Sequence, residues 1–236
     1  SIDDNGSVSH SGLRLVAPSQ RVSLDHADDS ELGSSAIGGE VSLDTHLGAV
    51  GTRAAAFASN LGLTEALVET MRLAGLAHDM GKADARFQAL LRGGDWLAAA
   101  AYDGDTSKAL AKSAPGPRVK RGALAPEWRW PKGMRHEAVS VALLRASRPD
   151  PTLDQELLEH LVAAHHGWSR PLFPAVIDDI PRPVVAIFEG EHLHAKSDDV
   201  VVDWAQPERF RRLCERYGWW GLALLESLLR LADISV

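Results

Sequence analysis

The chain has 236 residues, 45% of them apolar, with a formal net charge of −7 and one cysteine, Cys214. That length suits one domain, or one domain and a tail, with enough apolar material for a sizeable core. A lone cysteine excludes an internal disulfide framework and fits a reducing cytosol, and no apolar run approaches the roughly 20 residues a membrane span needs, so a soluble, cytoplasmic, non-membrane protein is expected.

Residues 1 to 41 are rich in Ser, Gly and Asp without helical periodicity and read as an acidic, linker-like tail, with a short strand pair between Leu13 and Leu24. Residues 1 to 44 hold eight acids and two bases, so the tail carries most of the negative charge and residues 42 to 236 form the domain proper. The first helix is expected from Asp44 to Asn60, with Leu43, Leu47, Val50, Ala54, Phe57 and Leu61 on one stripe and His46 beside it. The second starts after the N-cap Thr64, and Leu67, Met71, Ala74 and His78 follow at i, i+4, i+7 and i+11, which aims the imidazole of His78 inward. Gly81 is read as its stop, and Asp79 stands beside His78 at the helix end. A third helix spans Asp84 to Arg92.

Residues 95 to 134 form a long insertion with a small Ala-rich helix and four prolines. Between 108 and 135, eight Lys and Arg face Glu127 alone, and Trp128 and Trp130 are interleaved with them. One reading is a strip where Lys120, Arg121 and Arg129 meet phosphates and Trp128 and Trp130 stack on bases; the other is a solvated basic face that the tryptophans pack down. His136 opens the next helix. Thr152 to Gln155 reads as a capping box that starts a helix ending in His165-His166-Gly167. Val184 to Phe188 and Val200 to Trp204 are candidate strands of a small hairpin, and helices from Pro207 to Arg216 and from Gly218 to Asp233 close the chain.

A lone His-Asp pair is most often a core histidine beside a capping aspartate. Here, however, His46, His78, His136, His165, His166 and Asp233 all fall in or at the ends of amphipathic helices, whereas His10, His26, His192 and His194 fall in tail or loop segments. Neutral imidazoles with carboxylates suit Mn, Fe, Co, Ni or Zn better than Mg, which prefers an all-oxygen shell. Five His and two Asp exceed what one octahedral ion can take while leaving room for water and substrate, so the set implies two ions with a bridging carboxylate, for which Asp79 is the candidate.

On Leu43-Asp-Thr-His46, His78-Asp79-Met-Gly-Lys82, Arg135-His136-Glu137, His165-His166-Gly167 and Leu231-Ala-Asp233-Ile-Ser235, the chain resembles the HD superfamily of metal-dependent phosphohydrolases. More narrowly, it resembles the HD nuclease domain of the type I CRISPR-associated helicase/nuclease. The resemblance implies an all-α helical bundle, here with a small β-hairpin insertion, and a first ion on His46, His78, Asp79 and Asp233 with a second on Asp79, His136, His165 and His166. It also implies a divalent-metal-dependent nuclease cleaving single-stranded DNA in CRISPR interference. Its expected partners are helicase domains of the same or a partner chain and an RNA-guided surveillance complex.

Two such ions acidify a shared water and neutralise phosphate oxygens. Lys82, at the rim, would stabilise charge on the phosphorus; its alternative is a solvated helix-end cation. With no initial Met and an end just after Asp233, the chain reads as a domain excised from a larger helicase/nuclease, and the acidic segment ahead of it points to a helicase-first order. No Gly-rich phosphate loop is present, so ATP hydrolysis belongs elsewhere. Cys214 with His192 or His194 lacks any orienting group and reads as structural. The competing functions are an HD phosphohydrolase of nucleotides or cyclic nucleotides, which the basic insertion disfavours, and a non-catalytic HD module, which the complete ligand set disfavours.

Overall fold

A computed structural model of the protein describes residues 8–10, 13–15, 39–102, 105–113, 123–148, 150–200 and 202–236. The first long helix, α1 (Leu43–Asn60), is capped by Ser42, whose side chain accepts from the Thr45 N–H. In α2 (Glu65–Ala77) Thr64 does the same for Leu67. Each cap satisfies one of the first-turn donors that a helix leaves open. Short helices α3 (Ala85–Leu91) and α4 (Trp96–Ala100) follow, then α5 (His136–Arg145), α6 (Gln155–Ala164) and α7 (Gln206–Ile234). The fold is all-α: α1 packs on α2 and α7, and α6 packs against α2, α5 and α7. Leu43, Val50, Met71, Leu157, Leu161, Leu222 and Leu229 fill the space between them without solvent exposure. Among the described residues no helix is long and apolar enough to cross a membrane.

Helices α1 and α2 approach each other closely, and two glycines allow it. A Cβ added to Gly75 would lie 2.5 Å from the Gly51 Cα, and one added to Gly51 would lie 2.9 Å from the Arg72 carbonyl oxygen. The α2 backbone therefore rests on the α1 backbone, which carries His46 toward the end of α2.

The last helix is two segments joined at Gly218, where φ 71 and ψ 158 break the helical path. Both expected C-terminal helices are thus present as the two arms of one kinked element.

Among the described residues the strands form three antiparallel pairs. In the N-terminal pair, β1 (Val8–His10) precedes β2 (Leu13–Leu15). The expected pair at Leu13 to Leu24 is therefore corrected: the described partner of Leu13–Leu15 comes before it, and residues 16 to 24 lie outside the described residues. A second pair joins β3 (Val41–Ser42) to β4 (Leu110–Lys112), tying the long insertion to the start of α1.

The third pair is the hairpin, and it too differs from the expectation. Strand β5 (Pro183–Phe188) pairs with β6 (Glu191–Lys196), not with Val200–Trp204. Glu189 and Gly190 both have positive φ, at 49° and 81°, and make the two-residue connection whose twist matches the strands. The partner strand Glu-His-Leu-His-Ala-Lys has little apolar content, yet its alternation buries Leu193 against Val184 and Ala186.

The capping box is corrected as well. Asp154, not Thr152, caps α6 by accepting from the Leu157 N–H, while Thr152 is engaged with Asp150.

The two-glycine contact predicts opposite responses within one helix pair. Gly75→Ala should destabilise the protein by about 1–3 kcal/mol through overpacking. Gly48→Ala, where an added Cβ meets nothing within 4 Å, should stabilise it by roughly 0.5–1 kcal/mol. Thermal or urea unfolding of the two variants checks this, and equal melting temperatures would remove the backbone contact from the account.

Candidate metal centre

Side chains from four segments far apart in sequence meet at one carboxylate, and a fifth brings Asp233 beside two of them. Asp79 follows the C-cap His78 of α2 and is 1% exposed. Its two oxygens face different partners. Oδ2 lies 3.6 Å from His46 Nε2, 3.4 Å from His78 Nε2 and 2.7 Å from Lys82 Nζ. Oδ1 lies 2.8 Å from His136 Nε2 and 3.6 Å from His165 Nε2. Asp233 approaches the first group from α7, with Oδ1 3.2 Å from His46 Nε2 and 3.7 Å from His78 Nε2.

The side-chain ligand atoms fall into two sets that share Asp79: His46, His78 and Asp79, and Asp79, His136, His165 and His166. Within each set the atoms lie within 4.8 Å of one another. These six, with Asp233 beside His46 and His78, bring all seven residues singled out in the sequence as metal ligands to one place.

Whether these residues fit a metal depends on which ring nitrogens face inward. His78 Nδ1 is 2.8 Å from the Gly75 carbonyl, and His165 Nδ1 is 2.8 Å from the Val162 carbonyl. A carbonyl only accepts, so Nδ1 donates in both, and Nε2 is left pointing at the aspartate oxygens. The Nε2 atoms of His46, His78 and His165 are buried and make no hydrogen bond. Buried nitrogens converging on carboxylates without hydrogen bonds are complementary to a divalent cation of the borderline type. The donor set fits a metal.

The charges agree. Burial pushes the Asp79 carboxyl up, but Lys82, His78 and His136 outweigh it and hold it well below the usual carboxylate range. Burial lowers His46, His165 and His166, keeping them neutral as ligation requires. His78 is the exception: burial pushes it down, yet Asp79 and Asp233 push it up to about 10. A protonated His78 and the Lys82 ammonium together face the two carboxylates, Asp79 and Asp233.

Backbone contacts set this geometry. Gly81 is not the left-handed helix stop that the sequence suggested, since it lies inside the 3-10 turn Met80–Ala83. It is small because α5 passes over it: an added Cβ would lie 2.0 Å from the His136 carbonyl oxygen. One turn along α5, the Ser140 hydroxyl accepts from the Gly81 N–H and donates to the His78 carbonyl, both at 2.8 Å. Gln88 ties the Lys82 carbonyl to strand β4 in the same way. Glu137, fully buried, pairs with Arg135 at 2.8 Å and stands 3.6 Å from His136 Nδ1. Sequence reasoning assigned none of these a role. For Ser140 a signal existed, its i+4 spacing from His136 on one helix face.

Several expectations change. Lys82 is neither at the rim nor solvated; it is 5% exposed and lies against the central carboxylate. Trp130 cannot stack on bases, because it is 3% exposed, packs edge-on to Phe87 and donates its indole N–H to the Met134 carbonyl. Arg135 is likewise withdrawn from the basic strip into the core. Trp128 remains accessible, 5.6 Å from the ring of Trp96, which is 46% exposed, with the Arg182 guanidinium 5.7 Å from its ring. Arg129 is exposed and donates to the Leu124 carbonyl. Lys120 and Arg121 lie outside the described residues.

An all-α bundle that gathers His and Asp ligands around a shared carboxylate defines the HD class of metal-binding hydrolase domains. The family model described as "Cas3, HD domain" matches residues 33–208, well over half of the chain, and the protein belongs to that family. The match spans His46, His78, Asp79, Lys82, His136, His165 and His166 and ends before Asp233. No curated protein and no solved structure matches the chain. Membership implies a divalent-metal-dependent hydrolase of the nuclease type, with a nucleic-acid substrate, in the setting of CRISPR systems.

Ser140 yields a sharp expectation. Ser140→Ala would leave the buried Gly81 N–H and His78 carbonyl unpaired, which should cost about 1–3 kcal/mol and loosen the end of α2. Thermal unfolding reads the loss, and a variant that melts with the parent would mean that the hydroxyl does not hold the turn.

Proposed function

We propose that this protein is a binuclear metal nuclease that hydrolyses phosphodiester bonds of single-stranded DNA. The observation that carries the reading is the division of Asp79, with one oxygen turned to His46 and His78 and the other to His136 and His165. A carboxylate so divided is suited to bridge two ions, the first held also by Asp233 and the second also by His166. Two ions, when bound, acidify water and neutralise phosphate oxygens, which is the chemistry a phosphodiester requires. The imidazole-rich donor set favours Mn, Co, Ni or Fe over Mg.

The chain's own groups have distinct tasks. Asp79 joins the two half-sites, and the Nδ1–H bonds to Gly75 and Val162 keep His78 and His165 turned toward it. Lys82, already inside the site, is the fixed positive charge available to a phosphoryl group that gains negative charge during reaction. No side chain needs to act as a covalent nucleophile. Trp128 with Trp96, together with Arg129, Lys120 and Arg121, would hold the strand by stacking and charge, a mode tolerant of sequence. Helicase domains of the same or a partner chain, working with an RNA-guided complex, would supply the single strand.

Purified protein incubated with Mn, Co, Ni, Mg or EDTA and with labelled single-stranded DNA, duplex and a nucleotide panel tests the reading. Cleavage of single strands with the transition ions and none with EDTA is expected. Hydrolysis of nucleotides with DNA untouched would replace the substrate class. Asp79→Ala should lose metal and activity together, whereas Lys82→Ala should keep its metals while turnover falls. Two tightly bound ions per chain in Asp79→Ala would falsify the bridge.

Metal uptake should also be linked to pH with a definite sign. Below about 10 the metal-free protein carries a proton on His78, and ligation requires that proton to leave. Apparent affinity for the first ion should therefore rise with pH across neutrality, by about tenfold per pH unit for one proton. Calorimetry in buffers of different ionisation enthalpy should count the released proton, and a pH-independent affinity would contradict the charge balance.

A further inference from the structure

Arg230 lies on α7 one turn before Asp233, outside the ligand set. Its Nη1 stands 2.7 Å from His166 Nδ1 and 3.0 Å from Asp233 Oδ2. A guanidinium only donates, so His166 Nδ1 accepts, and the proton of the neutral ring resides on Nε2. Asp233 Oδ2 is occupied in the same way, which leaves Oδ1 directed at His46 and His78.

These two contacts act oppositely on the two half-sites. Resting on the binuclear reading above, the geometry points to Arg230 as a positioning residue that makes the half-sites unequal: it prepares Asp233 for the ion beside His46 and His78, and it withholds His166 from the ion beside His136 and His165. The conclusion does not depend on which nitrogen of His166 would ligate. If Nδ1 ligates, Arg230 occupies that atom. If Nε2 ligates, donation from Arg230 to Nδ1 keeps the ring proton on Nε2, where it blocks ligation. In either case the second ion must displace a charge-assisted hydrogen bond from the guanidinium. The Arg230 side chain is 39% exposed, so it has solvent to leave into. Metal loading is therefore stepwise, with a tight first ion and a weak second.

The test is a Mn(II) titration of the full chain by calorimetry, with electron paramagnetic resonance counting the coupled ion pairs. The parent should show two unequal steps. In Arg230→Ala and Arg230→Gln the second step should tighten by roughly tenfold or more, while the first weakens because Asp233 loses its orienting donor. A merely structural role would weaken both steps together. Thermal melting of both metal-free variants identifies which is folded, and the folded one carries the measurement. A second step unchanged or weakened in a folded variant overturns the inference, as do two equal steps in the parent. A parent that takes up only one ion overturns the binuclear reading and this inference together, which distinguishes the two failures.

Discussion

Burying the Asp79 carboxylate is the constraint on which the rest of the structure depends. An ionised carboxylate removed from water costs several kcal/mol unless cations and donors surround it. Here the compensation must come from five directions, since no single helix can present more than one or two groups to the same point. Lys82 and His136 stand within 2.8 Å of its two oxygens, and His46, His78 and His165 stand slightly farther out. The bundle's close approaches follow from that demand. Gly51 and Gly75 let α1 come near enough to deliver His46, and Gly81 lets α5 come near enough to deliver His136. A methyl group at any of these glycines moves a histidine.

A second polar cluster steadies the periphery and leaves the centre free for chemistry. The buried Arg86 forks to both Asp84 and Asp178, and Ser197 donates to Asp178 at 2.6 Å, so the end of the hairpin and the loop before it are pinned beside the short helix that follows Lys82. Every donor of that network that appears among these contacts meets an acceptor. The central cluster is the opposite case, with the Nε2 atoms of His46, His78 and His165 buried and without hydrogen bonds. Two buried ionic clusters in one domain, one satisfied and one not, separate a structural role from a site whose partner is a cation.

Much of this was legible in the sequence because the relevant signals are local. Helical stripes, the Thr64 cap and Gly62 set the ends of α1 and α2, and the grouping of histidines at helix ends singled out all seven residues that converge. What failed to show was long-range. Trp130 stands among cations in the sequence, but packing against Phe87 removes it from the surface. Lys82 reads as a rim or helix-end cation until strand β4 and α5 close over it. Gly81 looks like a helix stop, and only the passage of His136 above it reveals a need for space instead of for positive φ. Strand β6 was hidden because its inward residues, Leu193 and Ala195, alternate with charged and imidazole side chains. In each case the residue's neighbours along the chain were informative about its secondary structure and silent about what lies across from it.

The two half-sites also differ in where they come from. The first takes His46 from α1, His78 from the end of α2 and Asp233 from near the C-terminus; the second takes His136 from α5 and His165 and His166 from the end of α6. The first therefore draws on both α1 and α7, and its ligands meet only when α7 has packed back onto α1. An ion held there would bind the closed bundle and not the open chain, so its binding free energy would add to the stability of the fold. The second half-site joins neighbouring helices, and its ligands can meet within a smaller substructure.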